Sequence, residues 1–408
     1  MNRNLMRAYS EVILGSALKI KKGDVLWLRS EPVHLEFARF IAEQAYKLGA
    51  RFVNVSLEDP SFSRIRIDST TDEEFLDYIP ENRTPMFDSV VKEGWRSLAI
   101  RGPAEPDLME GVDSAKLGRT TKAASLARKS FLSAISSNNL PWNVCLLPTR
   151  AWAVKVLGSD EDWEKRIWDI LIPILRLDRD DPAEAWLEHD AMLKERAAFL
   201  NSHLFPKIRF KGPGTDLTIG MLPDRRFNGG SAVSSDGTVF FPNVPTEEVF
   251  STPDMTATHG KVRCTRPVTV YGAQVNGAWF KFEKGRVVDS GAESNGNVLK
   301  QYLSTDQGAS MVGEVALVGV DSPIYRSGKI FHNILFDENA SCHIALGNGY
   351  TDCIVGGTSM DEDALRACRC NQSLVHTDFM IGSEEVDVVG IAADSTETMI
   401  IRNGEFVI

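Results

Sequence analysis

A chain of 408 residues exceeds the usual span of one hydrophobic core, so two domains are expected. Its 43% hydrophobic and 25% charged residues are those of an ordinary folded protein and exclude a disordered one. Lysine and arginine number 45 against 56 acidic residues, a formal charge of −11, and no basic cluster interleaved with aromatics offsets it; nucleic acid and anionic membranes are poor partners.

The opening segment, MNRNLMRAYSEVILGSALKIKKGD, scatters polar residues through its apolar stretch and lacks the unbroken apolar core of a secretory signal. A strand is expected at Val25–Leu28, entered through the Lys22-Gly23-Asp24 turn. Val33, Phe37, Phe40, Ile41, Ala45 and Leu48 then recur at helical spacing, with Gly49 as a stop signal. Phe52–Leu57, Ser97–Ile100 and Val144–Leu147 are further strand candidates separated by helical stretches. That alternation predicts an α/β domain with a mainly parallel sheet and flanking helices. No Gly-rich phosphate loop stands at a strand-to-helix junction, so nucleotide binding has little support and a structural or substrate-gating role is expected.

The most apolar helical run, IWDILIPILRL (167–177), is too short to span a bilayer and is flanked by charge, so the cytoplasm is the expected location. A long helix is expected from Pro182 to Leu204, with Trp186, Leu193, Ala197, Leu200 and Leu204 on one face. From Lys207 the pattern changes to short strands broken by Gly, Asp and Asn. The chain closes on MIIRNGEFVI, a hairpin signal centred on Asn403-Gly404. The expected organisation is an N-terminal α/β domain over residues 1–205 and a β-rich α+β catalytic domain over 206–408. Six cysteines do not make a disulfide framework in a chain this long, and Cys368-Arg369-Cys370 has no second pair to complete a zinc ribbon. Free buried thiols are expected.

The chemistry concentrates late in the chain. In LVHTDFMIGS, His376 and Asp378 share one face of an expected strand, a pattern that also serves as a plain structural pair. FDENASCHIALGNGY brings Asp337, Glu338 and His343 into seven residues before Tyr350, although Asp337 or Glu338 equally suits a helix N-terminus. Glu247 and Glu248 precede Val249 and Phe250, and Glu314 heads the apolar run GEVALVG. Taken together, Glu248, Glu314, Glu338 and Asp378 would set four negative charges beside two imidazoles. Two like charges ~4 Å apart repel by about 4 kcal/mol at an effective dielectric of 20, so such a set needs cations or protons. Two divalent cations balance it, and oxygen with imidazole donors suits zinc, cobalt or manganese.

At these residues the chain resembles the aminopeptidase T family of metallo-exopeptidases, which includes the bacterial aminopeptidase S and PepS enzymes. The motifs that carry the resemblance are NVPTEEVF (243–250), GEVALV (313–318), SGKIFHNILFDENASCHIALGNGY (327–350) and LVHTDFMIGSEEVDV (374–388). GPGTDL (212–217) and IRGPAEPDLMEGVD (100–113) extend it over nearly the whole chain. By position, the resemblance implies Glu248, Glu314, Glu338, His343, His376 and Asp378 as metal ligands, with Glu314 bridging and catalytic. Tyr350 falls where the family has a tyrosine near the reacting carbonyl. Glu248 is preferred to Glu247 because its separation of 66 residues from Glu314 agrees with the family's pattern.

The resemblance further implies two divalent ions per chain, zinc or cobalt before manganese or magnesium, and a homodimer whose sites face a shared cavity. The expected substrates are short peptides with a free N-terminus. Thr377, His332 and Val389 depart from residues common in the family; none removes a ligand, and His332 bears on side-chain preference. The alternative is a mononuclear iron(II) ring-cleaving dioxygenase using His343, His376 and Asp378, which leaves Glu248, Glu314 and Glu338 without a use. A non-catalytic peptide-binding module ranks third.

Overall fold

Val25–Ser30 and Phe52–Leu57 are short, branched and apolar, and the 13-residue helix Leu35–Lys47 between them turns the chain back so that they pair in parallel. The structure is a computed structural model describing residues 1–408, the side chain of Ser114 excepted. Arg96–Arg101 and Trp142–Leu146 join the same sheet, and Asn243–Val244 completes it. The strand order is 243–244, 142–146, 96–101, 25–30, 52–57, and every pairing is parallel. Phe37, Ala38, Ile41 and Ala45 form the buried face of the helix, and Gly49 at φ +97° follows its end. Val33 and Leu48, expected on that face, lie just outside the helix and are half exposed.

The long helix runs Pro182–His203 and buries Trp186, Leu193, Ala197 and Leu200. Leu204 stands outside it: the backbone there turns to φ +46°, the side chain is exposed, and Phe205 is buried instead. The chain forms two compact units, residues 1–188 with 231–244, and residues 189–230 with 245–408. The division at 188/189 falls inside this helix. No helix among the described residues is long and apolar enough to cross a membrane.

The second unit is built from two large antiparallel sheets and a two-stranded one, Val268–Val270 with Ala273–Val275. One has eight strands, in the order 286–291, 279–283, 253–263, 215–221, 207–212, 387–391, 397–402, 405–406. Its last hairpin turns on Asn403 and Gly404, both at positive φ as a two-residue turn requires. The other has five strands: His376–Met380, His343–Gly347, Val312–Leu317, Val249–Ser251 and Asn228–Gly229. Val249, Val315, Leu317, Ile344, Leu346 and Phe379 lie on one face of it. They share a core with Ile208, Phe210, Ile219, Phe280 and Val388 of the larger sheet. Alternation therefore turns the other face of the five-stranded sheet away from that core. All six cysteines are unpaired, and five are buried.

Gly347 ends the second strand of the five at φ +114°, and a Cβ there would stand 2.0 Å from the Val375 carbonyl oxygen. Gly347→Ala should cost about 1–3 kcal/mol from backbone strain alone. The urea midpoint should fall accordingly; an unchanged midpoint would mean that the two strands separate easily at this point.

Candidate metal centre

The polar face of the five-stranded sheet carries the site. Glu314 lies opposite Ala345, and Ala345 opposite Asp378, so the two carboxylates flank a methyl group across three strands. His343 pairs with Ala316 on one side and Met380 on the other, while His376 pairs with Gly347. Glu248 immediately precedes the fourth strand and has the parity of Phe250, which pairs with Ala316. Long polar side chains thus alternate with alanine and glycine, which leave the space that the carboxylates and imidazoles fill.

Two triads of donor atoms result. Glu248, Glu314 and His343 form one, and Glu314, His376 and Asp378 the other; within each triad the donor atoms lie within 4.8 Å of one another. Glu314 is common to both. His343 Nε2 is 3.2 Å from Glu248 Oε2, His376 Nε2 is 3.2 Å from Glu314 Oε2, and His376 Nε2 is 3.4 Å from Asp378 Oδ1. His376 Nδ1 faces the Asn348 carbonyl at 2.8 Å, and His343 Nδ1 faces that of Ser341 at 3.2 Å. A carbonyl can only accept, so it selects the Nδ1–H tautomer of each neutral ring and leaves both Nε2 lone pairs for the cluster.

Glu338 belongs to neither triad, but its charge is felt by the cluster. Asn339, wholly buried, ties this segment to the Glu248 segment: its Oδ1 accepts from the Glu247 N–H at 2.7 Å, and its Nδ2 donates to Leu335 O and to Glu338 Oε1. The Glu247 carboxylate turns elsewhere, 3.4 Å from His189 Nε2. Asp337 accepts from the N–H groups of Phe331 and of Asn333, the N-cap of the short helix Ile334–Asp337, so it holds a helix N-terminus and the loop before it. The Tyr350 hydroxyl lies 3.3 Å from His376 Nε2, while its ring, 36% exposed, meets Phe250 edge-on. His332 is in neither triad. Sequence reasoning missed Asn339, although a polar residue wedged between Glu338 and the apolar run after it was a usable signal.

Without cations the cluster must take up protons. Burial pushes Glu314 up to about 7; the hydrogen bond from His376 opposes this, and the charges of Asp378 and Glu248 reinforce it. Burial and then the charges of Asp378 and Glu248 raise Glu338 well above the carboxylate range. Burial disfavours the His343 cation, yet the bond to Glu248 and the surrounding carboxylates win and raise it to about 10. His376 is raised in the same way, against its burial, by Asp378 and Glu314. Asp378 is lowered: burial opposes its charge, but His376 and then His343 favour it more. Desolvation of the Tyr350 hydroxyl, which faces the cluster although the residue as a whole is 36% exposed, and the charges of Glu314 and Asp378 hold it well above its ordinary value and therefore neutral. Asp378 Oδ1 is buried and accepts no hydrogen bond. An orphaned carboxylate oxygen 3.4 Å from the inward Nε2 of His376, among hard oxygen donors, fits divalent metal.

A donor set of this chemistry is one that metal-dependent hydrolases use. The thermophilic metalloprotease (M29) family profile matches residues 2–406. The chain is 37% identical to aminopeptidase T of Thermus thermophilus over 408 residues, covering 100% of this chain and 99% of that one. It is 36% identical to aminopeptidase 2 of Geobacillus stearothermophilus over 400 residues, covering 98% and 96%. The solved structure of wild-type AmpT from Thermus thermophilus superposes with a TM-score of 0.92 at 36% identity, over 100% of this chain and 99% of that one. The chain belongs to the thermophilic metalloprotease (M29) family and is on that ground a peptide hydrolase. The ring-cleaving dioxygenase alternative finds no support in these matches.

The proton load predicts how the metal-free protein behaves. His343 is raised from 6.5 to about 10, so its contribution to stability is complete below pH 6.5 and is lost as pH rises through about 10. Glu314, raised from 4.5 to about 7, acts in the same direction at lower pH, and Asp378, depressed, acts oppositely only in acid. The urea midpoint of the metal-free protein should therefore fall between pH 6.5 and 10, and metal added at pH 8 should release protons. Calorimetry in buffers of different ionisation heat measures that release. A rising midpoint together with buffer-independent heats would contradict the assignment.

Proposed function

We propose that the chain is a metal-dependent aminopeptidase that removes the N-terminal residue from short peptides, using two divalent ions, zinc or cobalt before manganese or magnesium. The observation that carries this reading is the pair of donor triads sharing Glu314. The names of the relatives, aminopeptidases T and 2, support the exopeptidase part. In this reading Glu248, Glu314, Glu338, His343, His376 and Asp378 would hold the two ions, with Glu314, common to both triads, placed to serve both.

Bound there, the ions would supply the Lewis acidity that activates water near neutral pH and polarises the scissile carbonyl. The chain's own residues do the rest. Glu314, flanked by both imidazoles, fixes the spacing of the two halves of the site. The backbone carbonyls of Asn348 and Ser341 hold the imidazoles in the ligating tautomer. Tyr350, kept protonated, donates a hydrogen bond to the oxyanion that develops on the carbonyl. An acidic side chain of the cluster, or an ion beside it, would hold the free α-amino group and fix the cut after the first residue. The reading extends to a cytoplasmic homodimer whose N-terminal domain, residues 1–205, gates access to a catalytic domain over 206–408.

Chelation should abolish hydrolysis of aminoacyl-p-nitroanilides, and zinc or cobalt should restore it at about two ions per chain, the number that balances four carboxylates. N-acetylated peptides should resist cleavage. Full activity in the metal-free protein would refute the mechanism, and rapid internal cleavage of acetylated peptides would refute the exopeptidase assignment.

Two substitutions separate holding metal from chemistry. Glu314→Gln should lose both metal and rate, since a neutral amide neither bridges two cations nor balances their charge. Tyr350→Phe should keep both ions and lower kcat by ~10²–10³, the usual cost of one oxyanion donor, with little change in KM. Metal analysis with steady-state kinetics distinguishes them. Loss of metal in Tyr350→Phe, or a normal kcat, would make Tyr350 a packing residue.

A further inference from the structure

The turn that delivers Tyr350 to the cluster is tied down by a hydroxyl from a distant strand. Thr252 directly follows the strand Val249–Ser251 and is wholly buried. Its Oγ1 accepts from the Tyr350 N–H and donates to the Tyr350 carbonyl oxygen, each at 2.8 Å. One hydroxyl therefore meets both backbone polar groups of a single residue. Its methyl group needs a small neighbour: a Cβ on Gly349 would stand 3.0 Å from Thr252 Cγ2.

Glu248, Phe250 and Thr252 alternate along one extended segment and have the same parity. Glu248 Oε2 reaches His343 Nε2, and the Phe250 ring meets the Tyr350 ring edge-on with centroids 5.5 Å apart. Thr252 then takes the backbone of the same tyrosine, 98 residues away in the chain. The segment that supplies a donor to the cluster thus also holds the residue whose hydroxyl lies 3.3 Å from His376 Nε2.

The rest of the turn has ties of its own. The N–H groups of Asn348, Gly349 and Cys353 donate to the carbonyls of Val375, Asn371 and Tyr350, and Asn371 Nδ2 donates to Gly308 O and Gly347 O. None of these bonds involves the Thr252 hydroxyl. Its loss should loosen Tyr350 and leave the strands and the donors in place.

We propose that Thr252 is a positioning residue whose hydroxyl sets where Tyr350 stands at the cluster. The proposal rests on the reading of Tyr350 as donor to the oxyanion, and adds the group that aims it. Aim matters because a misplacement of about 1 Å at a reacting centre costs on the order of 10²-fold in rate.

The test uses the metal-loaded full chain. Thr252→Val keeps the branched shape and removes the hydroxyl; Thr252→Ser keeps the hydroxyl. The valine variant should lose about 10–100-fold in kcat with KM and metal content unchanged, and the serine variant should recover most of that loss. Placed on a Tyr350→Phe background, Thr252→Val should lower kcat no further, since no phenol remains to be aimed. Hydrogen exchange read on peptides spanning 347–353 gives a measure independent of rate: the Tyr350 amide should exchange faster in Thr252→Val and at the wild-type rate in Thr252→Ser. A full additional loss on the Tyr350→Phe background, or no recovery with serine, overturns the proposal. A normal kcat in Tyr350→Phe would sink the donor role of Tyr350; unchanged exchange in Thr252→Val overturns positioning by Thr252 whatever the rates.

Discussion

Glu248, Glu314 and Asp378 are each less than one-tenth exposed, and their charges lie within reach of one another on one face of one sheet. Holding carboxylates together out of water costs several kcal/mol per charge unless cations or protons answer them. The second unit is organised to sustain that cost. One face of the five-stranded sheet is packed into a continuous apolar core with the eight-stranded sheet, which fixes register. A slip of one residue in a strand would send the ligands it carries, Glu314, His343 or His376 and Asp378, into that core. The stability of the hydrophobic face and the placement of the charged face are therefore the same fact.

Much of this was legible in the chain. The parallel sheet followed from apolar runs alternating with helical periodicity. Its strands at 25–30, 52–57, 96–101 and 142–146 match the expected ones to within a residue or two. The terminal hairpin followed from Asn403-Gly404, whose backbone demands leave few alternatives. The shared face of His376 and Asp378 followed from period two. What was not legible depends on contacts distant in sequence. Nothing local says that Glu314, a lone carboxylate at the head of an apolar strand, is 3% exposed and faces His376 from 62 residues away. Local pattern also cannot tell Asp337, which clamps a loop, from Glu338, which faces the cluster one residue later.

Glu247 and Glu248 make the same point. Adjacent residues on an extended segment point to opposite sides, so one carboxylate meets His343 and the other His189. Each finds an imidazole, and sequence spacing alone does not say which imidazole belongs to the cluster. The three-dimensional difference is that His343 lies in the polar face of the sheet, whereas His189 also bonds the Thr246 carbonyl at 2.8 Å, a local anchor for the backbone that leads to Glu248.

The arrangement around the cluster is one of backbone as much as side chain. Both imidazoles are oriented by peptide carbonyls, and the Glu248 and Glu338 segments are joined through one amide that meets a peptide N–H at Glu247 and a peptide carbonyl at Leu335. Peptide groups carry no net charge and do not titrate, so they hold ligands in place without adding to the repulsion among the carboxylates. A site already crowded with negative charge has little room for further carboxylates as supports. That constraint explains why the supporting groups here are asparagine, main-chain carbonyls and small residues. It also explains why Ala345 and Ala316 stand between the ligands: each leaves its space to the charges and to whatever neutralises them.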